Sequence, residues 1–142
     1  MSPTRSLTDR DDLVDIGLMV ARIGLGGMFM WHGWPKVWGG PATWMKIGGA
    51  MKHVGVDVWP TVWGFLAAFA EFGGGLALAL GIFARPAAAM LVMTMVVAAR
   101  MHFARGDGIA GASHAIELGI VMAALLISGP GRYALELRWR RD

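Results

Sequence analysis

The chain has 142 residues, enough for one domain and too few for two of ordinary size. Only 16% of its residues are charged and 56% are hydrophobic, whereas about 25% of a typical soluble domain is charged. This composition excludes a disordered chain and argues against a soluble globular domain. Cysteine is absent, which excludes disulfide frameworks, cysteine-ligated metal sites and thiol catalysis. The net charge of +3 comes from scattered basic residues, a pattern that does not predict nucleic-acid binding.

Four apolar segments are long enough, or nearly so, to cross a bilayer as helices, which takes about 20 residues. Pro86 suits the first turn of the third segment, and Gly129-Pro130-Gly131 ends the fourth. We therefore predict an all-α fold in which residues 1–142 form a single membrane domain, a bundle of four transmembrane helices. The predicted spans cover about residues 13–31, 61–83, 86–103 and 109–128.

The longest predicted connection joins the first and second helices over about residues 32–60 and carries most of the tryptophans. Tryptophan is enriched where a membrane meets water, so we predict an interfacial outer loop. Its stretch 42–54 mixes large apolar residues with lysines, which favours an amphipathic helix lying along the membrane surface. Gly48 and Gly49 argue against a regular helix there.

Counts of lysine and arginine predict the orientation, because the cytoplasmic ends of membrane spans carry more of them. With four spans, both termini and the turn between the second and third helices lie on one side, which holds seven of these residues against five on the other. The seven are Arg5, Arg10, Arg85, Arg132, Arg138, Arg140 and Arg141. We therefore predict a multi-pass protein with both termini in the cytoplasm.

Four charged residues lie inside the predicted spans, where ionisable side chains usually face the bundle interior and pair. Counting about 1.5 Å per residue from the cytoplasmic helix ends places Arg22, Glu71 and Glu117 in one layer, roughly 14–18 Å deep. The same count places Arg100 roughly 21 Å deep. Two arginines and two glutamates form a neutral set, so we predict a buried charge network of these four residues. It is either a ligand site or a structural set of ion pairs.

Several polar residues near the span ends fall on the outer side of this topology. Among them are His32, Lys36, His102 and His114. His32 and His102 each have a methionine nearby, a combination that suits copper. No fixed ligand spacing accompanies them, so we predict no metal site. We expect these side chains to form the outer polar side of the bundle.

The fourth helix has two distinct faces. His114 and Glu117 lie three residues apart and share one face, which we expect to point into the bundle core. Small residues at four-residue spacing follow the other side, and such ladders let helices approach closely in lipid. We expect this ladder to contact another helix or a second subunit. Its members are Gly111, Ala115, Gly119 and Ala123.

Short motifs, in this order and spacing, resemble the DoxX family of membrane proteins. They are Ala21-Arg22-Ile23-Gly24 through Phe29, His32-Gly33 and Lys36; Glu71-Phe72-Gly73-Gly74-Gly75 with Leu80-Gly81-Ile82-Phe83-Ala84-Arg85; and Glu117 with Gly129-Pro130-Gly131-Arg132-Tyr133. The resemblance spans roughly residues 16–136. Where the family usually has Ser-Leu-Asp after the Gly-Pro-Gly-Arg run, this chain has Ala134-Leu135-Glu136. That departure leaves any role of the turn open.

The resemblance implies a four-helix integral protein of the bacterial inner membrane with a link to membrane redox chemistry. The namesake of the family is similar to a subunit of a thiosulfate:quinone oxidoreductase, and other members are associated with thiol and oxidative-stress complexes. It therefore implies an accessory subunit of a quinone-linked oxidoreductase. It assigns no catalytic residue, and quinone is the one cofactor it suggests.

Three functions stay open from the sequence. In the first, the buried arginine and glutamate layer binds or protonates a small ligand such as a quinone, because these groups can donate hydrogen bonds and protons. In the second, the chain is a non-catalytic scaffold or assembly subunit, with a homo-oligomer as one arrangement. In the third, it carries a small solute or a metal. Without cysteine or a haem or flavin motif, the chain would receive electrons from a partner protein.

Overall fold

The computed structural model describes residues 10–136 of the chain, and all regular structure within them is helical. Four helices are long and apolar enough to cross a membrane, which confirms the predicted all-α fold with four spans. We name them span 1 to span 4 in chain order: Arg10–Val37, Pro60–Leu80, Ala84–Arg105 and Gly108–Ser128.

The predicted orientation depends partly on arginines outside the described residues. These are Arg5, Arg138, Arg140 and Arg141. The position of both termini in the cytoplasm therefore stays a prediction.

Span 1 is longer than predicted, because its helix continues past Trp31 to Val37. The next helix begins at Gly40, whose φ of 73° lies in the left-handed region that glycine favours. His32 and Lys36, which the sequence placed in the outer loop, are therefore part of span 1. They lie four residues apart and so share one face of the helix.

Span 2 consists of two α-helical pieces with a π-helical segment between them. The pieces are Pro60–Phe69, Ala70–Gly74 and Gly75–Leu80. The span ends three residues before the predicted end at Phe83, because Gly81 turns the chain with a φ of 70°. The backbone N–H of Gly81 donates to the carbonyl of Leu78 at 3.1 Å, which closes the last turn.

The outer connection is a short α-helix, Gly40–Gly48, followed by a 3₁₀-helix, Gly49–Val54. This short helix packs against the beginning of span 2. Gly64 of span 2 faces the backbone of Trp44 so closely that a side chain has no room there. The indole nitrogen of Trp44 donates to the carbonyl of Lys36 at 2.9 Å, which ties this helix to the end of span 1.

Each span packs against its neighbour in the chain, and one apolar core joins all four. Its largest members are Phe29, Leu78, Leu91, Met95, Met122 and Leu125. The ladder of small residues on span 4 contacts span 3, because a Cβ on Gly119 would lie 3.4 Å from the Cβ of Met95. The ladder therefore serves helix packing within one chain.

Candidate ligand site

Glu71 forms an ion pair with Lys36. The Lys36 ammonium donates to both carboxylate oxygens, Oε1 at 2.7 Å and Oε2 at 2.5 Å. The Glu71 side chain is 6% exposed and that of Lys36 is 34% exposed. Pairing with hydrogen bonds is what makes two such charges tolerable away from water. This pair was not predicted from the sequence, because the first helix was expected to end at Trp31, before Lys36.

The π-helical segment carries Glu71 towards span 1. Single π-helical turns within α-helices occur frequently at functional sites. Gly33, one turn before Lys36, packs directly on this segment, and a Cβ at Gly33 would lie 2.5 Å from the backbone nitrogen of Phe72. This close approach of two backbones brings the lysine within reach of the carboxylate.

A cavity of about 530 Å³ lies beside this pair, between span 1 and spans 3 and 4. One end is polar and is lined by His32, Lys36, Glu71, His102 and His114. The remaining wall is mostly apolar and includes Leu25, Met28, Phe29, Met95, Met101 and Leu118. Its volume is within the range of about 300–1,000 Å³ that is usual for small-molecule sites.

The histidines at the polar end approach one another from different spans. The ring centroids of His32 and His114 are 6.5 Å apart, with the planes inclined by 64°. Nδ1 of His102 lies 2.7 Å from a carboxylate oxygen of Asp107, in the turn between spans 3 and 4. All four residues of the predicted outer polar side, three histidines and Lys36, thus line one cavity. Within residues 10–136, no three His, Asp or Glu side chains are grouped closely enough to hold a metal ion.

Arg22 is buried, but the structure does not bring it to Glu71. Its guanidinium donates to the carbonyl oxygens of Ala79 and Tyr133, each at 2.8 Å, and more weakly to that of Leu78 at 3.5 Å. The carbonyl of Ala79 belongs to the last turn of span 2, where helix carbonyls have no partner within the helix. Arg22 therefore caps span 2 and fastens the segment after span 4 to it.

The predicted common layer fails because the helix ends do not lie at one level. Ala79 is eight residues beyond Glu71 on span 2, about 12 Å along the helix axis. Arg22 and Glu71, which we expected to belong to one charge network, therefore have separate partners. The first turns of span 1 extend beyond the end of span 2, and there Asp12 and Asp15 contact Arg132.

Arg100 and Glu117 are both exposed and do not line the cavity. The expectation that His114 and Glu117 both face the bundle core is therefore wrong for Glu117. Helix geometry explains the difference, since residues three apart are about 60° apart around the axis and His114 already lies at the rim of the bundle. The structure does not gather the four predicted charges into one network.

Arg132 holds the segment after span 4 against span 1, a contact that was not predicted from the sequence. Its guanidinium lies 2.6 Å from a carboxylate oxygen of Asp12, and its backbone N–H donates to Asp15 at 3.0 Å. The hydroxyl of Tyr133 accepts a hydrogen bond at 2.9 Å and, with the nearby carboxylates, raises the pKa of Arg132. The three-residue spacing of Asp12 and Asp15, on one helix face, was the available signal.

Comparison with known proteins gives one match. A family model described as DoxX matches residues 17–104, which include Arg22, Lys36, Glu71 and His102. No match was found among curated proteins or among solved structures.

Proposed function

The chain is a member of the DoxX family, and from this premise we propose that it binds a small lipid-soluble ligand in the cavity beside Lys36 and Glu71. A quinone is the candidate ligand. The observation that carries this proposal is the cavity itself, which combines apolar walls with a cluster of hydrogen-bonding side chains at one end.

The residues around the cavity fit the two parts of a membrane quinone. Its head has two carbonyl oxygens that accept hydrogen bonds, and its reduction takes up protons together with electrons. Lys36, His32 and His114 would donate to the head, since ammonium and imidazole N–H groups are hydrogen-bond donors. Met28 and Phe29 offer apolar surface to the tail.

Protons at this site would come from the chain's own side chains. Glu71 holds the Lys36 ammonium at the edge of the cavity, so that a cation faces the place where an anion would form on reduction. His102 lines the cavity and is bonded to Asp107 at the outer turn. These two residues would connect the site to water at the outer surface.

In this proposal the chain is a subunit of a redox complex in the inner membrane of a bacterium, with both termini in the cytoplasm. A partner protein would supply the electrons.

A non-catalytic scaffold is the second candidate function. The contacts of Arg22 and Arg132 support it, because both side chains hold helices and segments together without facing the cavity.

Titration of the purified protein with a short-chain quinone tests the ligand site. We expect Lys36→Met, which keeps the length of the side chain and removes its charge, to weaken binding by about tenfold or more, since a charged donor contributes about 1.5–3 kcal/mol. Lys46→Met, the same change on the exposed side of the outer helix, should bind like the wild type. Equal affinities for Lys36→Met and the wild type, with both folded by thermal melting, would contradict the proposal.

A further inference from the structure

Two opposite charges remain exposed on spans 3 and 4. Arg100 and Glu117 each lie within a helix apolar enough to cross a membrane, and neither has an ion-pair or hydrogen-bond partner among residues 10–136. Ionisable side chains within a bilayer are costly and almost always face protein or pair. Their exposure on a single chain therefore indicates that something else covers this face.

Arg100 and Glu117 lie at different depths in the membrane. Spans 3 and 4 meet at one short outer turn, so depth can be counted from there. Arg100 lies five residues from the end of span 3, about 7 Å deep, and its long side chain can extend towards the interface. Glu117 lies nine residues into span 4, about 14 Å deep, which is close to the middle of a hydrocarbon core of about 30 Å.

The Glu117 side chain lies on a face of span 4 that points away from the core of its own chain. Span 4 turns Ala115 and Met122 towards the core, and Gly119 towards span 3. Glu117 lies on the opposite face with Ile120 and Val121, which are also exposed. Towards the outer end of the span this face also carries His114, which is exposed. On the neighbouring span, Arg100 is an exposed cation at a comparable level.

We propose that a second copy of this chain covers the exposed face of spans 3 and 4. The two copies would be related by a two-fold axis along the membrane normal, with Glu117 of one copy near Arg100 of the other, so that each dimer has two such pairs. The depths of Arg100 and Glu117 in the membrane differ by about 6 Å, a distance that two long side chains can bridge. In a two-fold dimer, both copies use the same surface patch, so that patch must be complementary to itself. The exposed face of spans 3 and 4 meets this condition because it carries both an anion and a cation.

Disulfide cross-linking in native membranes tests this interface, because the chain has no cysteine of its own. We expect Ile120→Cys, next to Glu117 on the proposed interface, to form a covalent dimer on mild oxidation. Val20→Cys, on the exposed side of span 1, is the matched control and should stay monomeric. A monomeric Ile120→Cys protein, or equal dimer yields at both positions, would overturn the proposal.

Charge changes in the Ile120→Cys protein then test the pairing. A homodimer of Arg100→Leu or of Glu117→Leu loses both pairs, so each change should lower the dimer yield by more than about tenfold, since one such contact between membrane helices contributes about 1–2 kcal/mol. Coexpression of the Arg100→Leu copy with the Glu117→Leu copy, under different tags, should recover mixed dimers because one Glu117–Arg100 pair can form. Unchanged dimer yields in both single variants would overturn the pairing. The dimer yields do not depend on whether the cavity binds a ligand, so this test and the test of the ligand site can fail separately.

Discussion

Replacement of Arg22 with leucine is expected to lower the free energy of unfolding by about 3–5 kcal/mol. The change removes the donor for the carbonyls of Ala79 and Tyr133, which are bonded at 2.8 Å. Buried carbonyls without partners each cost about 1–3 kcal/mol. Release of the segment after span 4 from span 2 should follow. The measurement is thermal or denaturant unfolding of the purified protein in detergent micelles.

Arg85→Leu is the matched control for this prediction. Arg85 also donates to a carbonyl near the end of a span, that of Ile127, but at 3.3 Å and from an exposed position. Its loss should therefore change the stability by less than about 1 kcal/mol. Arg22→Lys should be intermediate, because one ammonium cannot reproduce the planar fork of a guanidinium. If Arg22→Leu and Arg85→Leu unfold alike, Arg22 is not the cap of span 2.

Gly33→Leu is expected to separate span 1 from the π-helical segment and to lower the stability by about 3 kcal/mol. A Cβ at this position would lie 2.5 Å from the backbone nitrogen of Phe72 and 2.9 Å from its Cα. Backbone atoms cannot move aside as a flexible side chain does. Since Lys36 follows Gly33 by one turn, its contact with Glu71 should be lost as well, and with it the binding of a ligand in the cavity.

Gly27→Leu provides a control on the same helix. No atom outside that helix lies within 4 Å of a Cβ at Gly27, so a leucine there should point into lipid. The change should leave stability unchanged or slightly raised, because leucine favours a helix more than glycine does. Equal damage from Gly27→Leu and Gly33→Leu would argue against close packing of span 1 on span 2. Melting temperatures of the two variants decide between these results.

The number of spans could be predicted from sequence because a bilayer selects directly for length and apolarity. The helix ends could not be predicted as well. His32 and Lys36 were assigned to a loop because polar residues follow Trp31, although these side chains face a cavity within the bundle. A polar stretch ends an apolar pattern whether or not the helix itself ends.

The candidate site was predicted in part. Glu71 stood out correctly as a buried carboxylate that needs a cation, because a span rejects an unpaired charge. Its partner could not be identified by counting depth, since this assumes that all helices begin at one level. Span 1 begins beyond the end of span 2 and lets Arg22 cap that end. Which side of a helix faces its own chain depends on tertiary packing, so the exposure of Glu117 could not be foreseen.

The most direct test of the ligand site is mass spectrometry of the small molecules that co-purify with the protein in a mild detergent. The measurement identifies each molecule and gives its amount relative to the protein. We expect the wild type to carry a quinone in nearly equimolar amount. Ala98→Phe, which places a ring in the cavity, should carry little. Ile23→Phe, on the exposed side of span 1, should carry as much as the wild type. A wild-type protein without any such molecule, or equal amounts in Ala98→Phe, would contradict the proposal and favour the scaffold.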